Sequence, residues 1–369
     1  MSLSNVRRSS AYALLLLLGG ALVFYPIFFI IFRISVFKTV PTDDYAPYLL
    51  WLLQEPGGAF PLSPYCYRIL SMFAAAAFYY ILPPLDLSNI PNTLSPSWIR
   101  ATAALSALSF VSMLGAMMAV AALAVRKCGL TPRDGMLAAL LLLVLIFYTQ
   151  ITAIDPLAVF VISLALLLLD RKWAFAALVL ISAGINEKIA LVLAIWLTIR
   201  WVLAPSDRAR LTLPWICSVA AVGLYFGIVL SLRFPGHEYQ LQPSGFKETI
   251  TANLQAYLSV RGVLLNALPA IALGTIGGLG HLARGAGRTA PTFRAVDLLV
   301  IPCMIGVALI FTQQFQAGRL VMHAAPLFIL PFVAALSQHA TGSLRAAKAS
   351  LRQEPALPQK DVRSVLQGP

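Results

Sequence analysis

Charge is scarce in this 369-residue chain: Asp, Glu, Lys and Arg together supply 11% of it, against about a quarter in a soluble domain. With 59% of residues hydrophobic and a mean hydropathy of +0.83, a water-exposed surface cannot be assembled from what remains. Acid is scarcer than base, 14 residues against 27, for a formal net charge of +13. The basic residues come in twos and threes between apolar runs, without the continuous stripe or interleaved aromatics of a nucleic-acid binder, so no nucleic-acid partner is expected. The four cysteines, Cys66, Cys128, Cys217 and Cys303, lie far apart, which excludes a closely spaced redox or zinc pair. His237, His281 and His339 read as ordinary loop residues, and histidines without paired spacing make a poor metal site, so the sequence leaves any cofactor unknown. No internal repeat stands out to support an inverted-repeat transporter.

What is abundant is apolar sequence in runs of membrane-spanning length, about 18 residues or more for roughly 30 Å of hydrocarbon. Apolar runs, several of that length and others shorter, fall at residues 11–32, 101–125, 135–149, 156–169, 173–185, 189–203, 212–232, 262–280, 297–312 and 320–337. The first follows Arg7 and Arg8 and is too long for a signal-peptide core, so it reads as an uncleaved span. A further run, Ile69–Leu82, is short. If it spanned, every later loop would flip and the Arg126–Lys127 and Asp170–Arg171–Lys172 clusters would face outward, against the excess of Lys and Arg on cytoplasmic loops. The expectation is an all-α, polytopic bundle of about ten spans with both termini cytoplasmic and Ile69–Leu82 as an interfacial helix. Residues 1–338 then form the membrane domain, with outer loops at 33–100 and 233–261. Residues 339–369, rich in Ala, Gln, Pro and basic side chains, form a disordered cytoplasmic tail.

The four runs between residues 135 and 203 hold only about 13 to 15 residues each and reach about 20 to 22 Å. Arg133, Arg171, Lys172 and Arg200 hold their inner ends at the cytoplasmic surface, so the shortfall falls on the outer tips. Those tips carry Tyr148, Thr149, Gln150 and Asp155 in one hairpin and Asn186, Glu187 and Lys188 in the other. Charged side chains at that depth need protein partners or a watery recess, and a cavity open to the outer side follows.

Each polar group has a structural reading beside a functional one. Asp43 or Asp44 either caps a short helix or acts as a base at the cavity mouth, next to Tyr45. Asp155 before Pro156 has the form of a helix cap followed by proline at the first helical position, and a cap at that depth can also line a site. Asn186 can cap the next helix while Glu187 and Lys188 neutralise one another or partners across the cavity. Arg319 and His323, four residues apart and preceded by Gln313, Gln314 and Gln316, share a helix face. Arg319 and Arg68 either hold a phosphate through their planar donor forks or anchor to lipid headgroups.

In order, the acidic pair Asp43–Asp44 after a first span, a long outer loop with PYCYRIL, membrane hairpins tipped by AIDP and INEK, and GRLVMHAAPLFILP opening a late span resemble the GT-C superfamily of polytopic glycosyltransferases. The resemblance implies a sugar taken from a polyprenyl-phosphate carrier, at the outer face of a bacterial inner membrane in cell-envelope glycan or glycolipid synthesis. It makes Asp43 or Asp44 the general base and gives Arg319, with Arg68, the phosphate charge on the leaving lipid. Tyr45, Asp155, Asn186, Glu187, Lys188, Gln314 and His323 complete the expected substrate site. Many GT-C members carry a soluble outer domain after their spans, and the residues after the last apolar run lead to the expectation of none here. A transporter or flippase of lipid-linked saccharides and a non-catalytic subunit of an envelope-polymer assembly are the alternatives.

Overall fold

The computed structural model describes residues 45–60, 67–83, 95–146, 154–232, 246–282, 294–311 and 317–337, and every regular element among them is helical. The run at 11–32, Asp43, Asp44, Gln314 and the tail lie outside the described residues. Helices α1 (Ala46–Leu52) and α2 (Ile69–Ile81) precede the 31-residue α3 (Pro96–Arg126). Then follow α4 (Pro132–Ile146), α5 (Asp155–Leu168), α6 (Lys172–Ser182), α7 (Glu187–Leu203) and α8 (Arg208–Ser231). The C-terminal part holds α9 (Phe246–Leu258), α10 (Leu268–Leu282), α11 (Val300–Phe311), α12 (Ala317–Met322) and α13 (Ala325–Ser337).

Three stretches are long and apolar enough to cross a membrane: Pro96–Arg126, Pro205–Ser231 and Val260–Leu282. The chain is therefore read as a membrane protein. The helices between residues 132 and 203 are short, at 15, 14, 11 and 17 residues. Large apolar side chains such as Val111, Val144, Ile216, Leu230 and Ile271 stand exposed, as they would toward lipid. Inside, Met113, Phe175, Leu193, Trp196 and Phe328 are buried in one continuous core. A second cluster joins α1, α2 and α3 through Tyr48, Leu49, Met72, Ala75 and Leu105. In α2, Met72, Ala75, Ala76 and Tyr79 form the buried stripe of a 3.6-residue period, while Phe73, Tyr80 and Ile81 face outward.

Helix boundaries depart from the apolar runs for local reasons. α3 begins at Pro96 rather than 101 because Ser95 caps it, accepting from Trp98 N at 3.2 Å, and proline suits the first helical position. The last run is broken after Met322. His323 Nδ1 lies 2.7 Å from the Arg319 carbonyl, which an uninterrupted helix would give to the His323 backbone N–H. That N–H turns instead to Leu320 O at 3.2 Å. His281 lies in the last turn of α10, not in a loop.

At one end of the bundle an ionic layer clamps the helices together. Arg200 meets Asp297 with two parallel bonds, Nε to Oδ1 at 2.6 Å and Nη2 to Oδ2 at 2.7 Å, and reaches Asp207 at 2.9 Å. Trp196 Nε1 also donates to Asp297, at 3.0 Å, and Arg294 closes the ring on Asp207 at 2.7 Å. Nearby, Asp170 accepts from Lys127 and, at 2.9 Å, from Arg210 Nε. Burial raises the Asp170 carboxyl, but these two cations outweigh it and hold the group below its usual range. Its contribution to stability is therefore complete above the unfolded value of about 3.9 and fades as pH falls through the lower folded value. Asp170→Asn is expected to lower the melting temperature modestly at neutral pH, the difference from wild type shrinking on acidification to about pH 3. A gap between the two melting curves that is independent of pH would refute the assignment.

Candidate functional site

A second polar layer lies at the opposite helix ends. Along α7, Glu187 and Arg200 are separated by about 20 Å at 1.5 Å per residue. Between the layers the core is almost wholly apolar.

The turn before α7 supplies three of its members. Asn186, in an extended conformation, caps α7 by accepting from Lys188 N at 3.1 Å. The cap leaves Glu187 in the first turn, where the helix dipole favours an acid. Leu70 N donates to Gly184 O at 3.0 Å, tying the start of α2 to this turn and bringing Arg68 beside Glu187. Arg68 then spans two partners: Nε and Nη2 both donate to the Glu187 carboxylate, the first at 2.8 Å, and Nη1 donates to the Tyr45 hydroxyl. Burial pushes the Tyr45 phenol above its ordinary range, so it remains neutral.

Asp155 is the centre of the second half. Its N-terminal position differs by one from the sequence expectation: Ile154 is the cap residue, Asp155 opens α5, and no side-chain cap bond forms. The carboxylate is instead held by cations. Arg319 Nε donates to Oδ2, Lys188 Nζ lies 3.4 Å from Oδ1, and His323 Nε2 lies 3.4 Å from the same oxygen. The Asp155 and His323 side chains are 0% exposed, whereas Lys188, Arg319 and Glu187 keep 10%, 18% and 21%. Access is therefore from the Arg319 and Glu187 side.

Arg319 is aimed by a contact that sequence reasoning missed. Before α10 the backbone widens into one π-helical turn, Val263–Ala267. Asn266 in that turn accepts from Gly318 N at 3.2 Å, fixing the start of α12 one residue before Arg319. A lone amide in the apolar run VLLNALPAIAL was the available signal, since a polar group there needs a partner. The Arg200–Asp297 clamp was missed too, because Asp297 sat where an apolar run met a basic loop.

Of the expected site residues, Tyr45, Arg68, Asp155, Asn186, Glu187, Lys188, Arg319 and His323 share this one layer, from five separate segments of chain. Arg68 turns inward, with 4% of its surface exposed, and so does not reach lipid headgroups. Glu187 and Lys188 do not neutralise each other; each pairs across the layer. Asp43, Asp44 and Gln314 lie outside the described residues. Among the described residues no cluster of three or more His, Cys, Asp or Glu has the form of a metal site.

The layer is built to take an anion. Arg68, Lys188 and Arg319 face only two carboxylates, Asp155 and Glu187, so positive charge is in excess among the described residues. Two of the cations share the single carboxylate of Asp155, which an incoming anion can relieve of one of them. Comparison with known proteins brings no match: no family model, curated protein or solved structure corresponds to the chain.

Proposed function

We propose that the chain is a GT-C-like glycosyltransferase, a multi-pass protein of a bacterial inner membrane with both termini cytoplasmic, which moves a sugar from a polyprenyl-phosphate carrier to an acceptor at the outer face. The observation that carries the reading is the sharing of Asp155 by Lys188 and Arg319, with Arg319 partly exposed. A carrier phosphate arriving from the lipid takes up Arg319, whose planar fork suits two of its oxygens. As the acceptor oxygen bonds to the sugar carbon, the bond from that carbon to the phosphate oxygen breaks, its electron pair goes to the phosphate, and Arg319 and Lys188 stabilise that charge in a site of low dielectric. The proton leaves the acceptor hydroxyl for a carboxylate, and Asp43 and Asp44, which immediately precede Tyr45 in the chain, are assigned that task. Membrane lipid and the lipid-linked sugar are the partners.

The test is transfer by the purified protein from radiolabelled polyprenyl-phosphate sugars, hexosyl and pentosyl, in proteoliposomes. Asp43→Asn with Asp44→Asn is expected to abolish transfer with membrane insertion intact, and Arg319→Ala to slow it by about 10²- to 10³-fold. Full activity in the double variant would sink the base assignment; no transfer from any carrier by wild type would sink the reading.

A further inference from the structure

The charges around Asp170, at the opposite end of the bundle from the Asp155 layer, are not closed on themselves. Lys127, which follows α3, and Arg210, in the first turn of α8, both donate to the Asp170 carboxylate. Arg210 does so through Nε at 2.9 Å and Nη2 at 2.5 Å, both to Oδ1. The two residues after Asp170 in the chain, Arg171 and Lys172, are exposed and have no ion-pair partner among the described residues. Four cations therefore accompany one acid. Asp170 keeps 45% of its side chain exposed, so this cluster is open where the Arg200 pair with Asp297 is sealed. α6 opens at Lys172 with no side-chain cap and no acid in its first turn, although the helix dipole favours negative charge there.

From these cations an apolar track runs along the outside of α6. Trp173 stands 81% exposed, Leu180 and Ile181 are exposed beyond it, and the small Ala177 lies between. Their spacing puts them on one helix face, while Phe175, Ala176, Val179 and Ser182 bury the other. From Trp173 to Ile181 the track covers about 12 Å, close to half of the roughly 30 Å of hydrocarbon in a bilayer. A soluble phosphate would use the cations and leave the track bare, whereas a phospholipid uses both. We infer that Lys127 and Arg210, with Arg171 and Lys172 beside them, form the headgroup site of an anionic glycerophospholipid whose acyl chains lie along Trp173, Ala177, Leu180 and Ile181. Asp170 gathers Lys127 and Arg210 on one carboxylate, and a phosphate, with the same paired acceptor oxygens, takes them over from it. A basic pocket between helices at the membrane surface is the form such lipid sites take. The site stands whether or not the chain transfers sugar.

Lipid binding is measured on the full chain in mild detergent by native mass spectrometry. The probes are dioleoylphosphatidylglycerol, dioleoylphosphatidylcholine and glycerophosphoglycerol, which is the anionic headgroup without chains. Wild type is expected to bind phosphatidylglycerol at least about tenfold more tightly than phosphatidylcholine, with glycerophosphoglycerol unable to displace it. Lys127→Gln with Arg210→Gln should weaken phosphatidylglycerol by about tenfold or more. Arg171→Gln with Lys172→Gln removes the same charge without the bridging donors and should weaken it by about threefold or less. Asp170→Asn should tighten it by about two- to fivefold even as it lowers the melting temperature, because both cations are then released to the phosphate. A carboxylate that only ties helices together would give the loss of stability without the gain in affinity. Equal binding of the two phospholipids by wild type would overturn the site. So would equal losses in the two double variants, which mark a diffuse basic rim, or displacement by glycerophosphoglycerol, which marks a site for soluble phosphate esters. If the Lys127 and Arg210 variant fails to fold, Asp170→Asn decides alone: unchanged or weaker binding of phosphatidylglycerol overturns the site.

Discussion

Asp155→Asn is expected to be the most damaging single substitution in the chain. Its carboxylate is fully buried and is the shared counter-ion of Lys188 and Arg319, with His323 against the same oxygen. Asparagine matches its shape but carries no charge, so two cations stay in the layer with Glu187, already committed to Arg68, as the sole acid there among the described residues. Removing one partner of a buried ion pair costs about 3–5 kcal/mol, because the other charge is left uncompensated. That is a large part of the about 5–15 kcal/mol that holds most folds together. The variant should lose most of its monodisperse yield in mild detergent and melt far below wild type. Adding Lys188→Met to Asp155→Asn removes one of the stranded charges and should restore part of the loss, a coupling that a double-mutant cycle reads directly. An Asp155→Asn protein with the melting temperature of wild type would show that the layer is wet enough to tolerate an unpaired cation.

The contrast between the two ionic layers follows from how each is closed. Asp297 is saturated: it accepts from Nε and Nη2 of Arg200, from Trp196 and from the Arg294 backbone at 2.7 Å. Such a cluster binds helices to one another and has no capacity left for a ligand. The Asp155 layer has one carboxylate for two cations and side chains that are partly exposed. Saturation marks the structural layer, and its absence marks the functional one.

The membership of the functional layer was legible because polar residues stand out in apolar sequence. AIDP, INEK and GRLVMH interrupt runs that otherwise bury or face lipid, and the cost of a charge at that depth already implies partners. What the chain did not disclose was who pairs with whom. Arg68 and Glu187 are 119 residues apart, and Asp155 and Arg319 are 164 apart. Hydropathy has no register between distant helices, so the sequence left open whether Glu187 and Lys188 pair with each other or across the cavity, and the two side chains reach different partners, Arg68 and Asp155. Helix ends were blurred for a related reason: capping and back-bonding by Ser95 and His323 are decided by single side chains, which a window average removes.

Gly318→Ala should disable the site without touching any charged residue. A β-carbon at Gly318 would stand 2.0 Å from the Leu265 carbonyl oxygen and 2.9 Å from Pro269 Cγ. The first obstacle is backbone, held in the π-turn whose Asn266 already accepts from Gly318 N, so it cannot swing aside as a side chain could. The start of α12 must retreat instead, and Arg319 is the next residue. Overpacking of this kind costs about 1–3 kcal/mol, while a misplacement of about 1 Å at a reacting group can cost about 10²-fold in rate. The loss of transfer should therefore exceed what the drop in stability accounts for. Gly223→Ala, in the exposed middle of α8 with no described atom within 4 Å of the new carbon, is the matched control. It should be neutral or raise stability by up to about 1 kcal/mol, as alanine does in place of glycine inside a helix. If the two variants behave alike in melting and in transfer, the π-turn does not position Arg319.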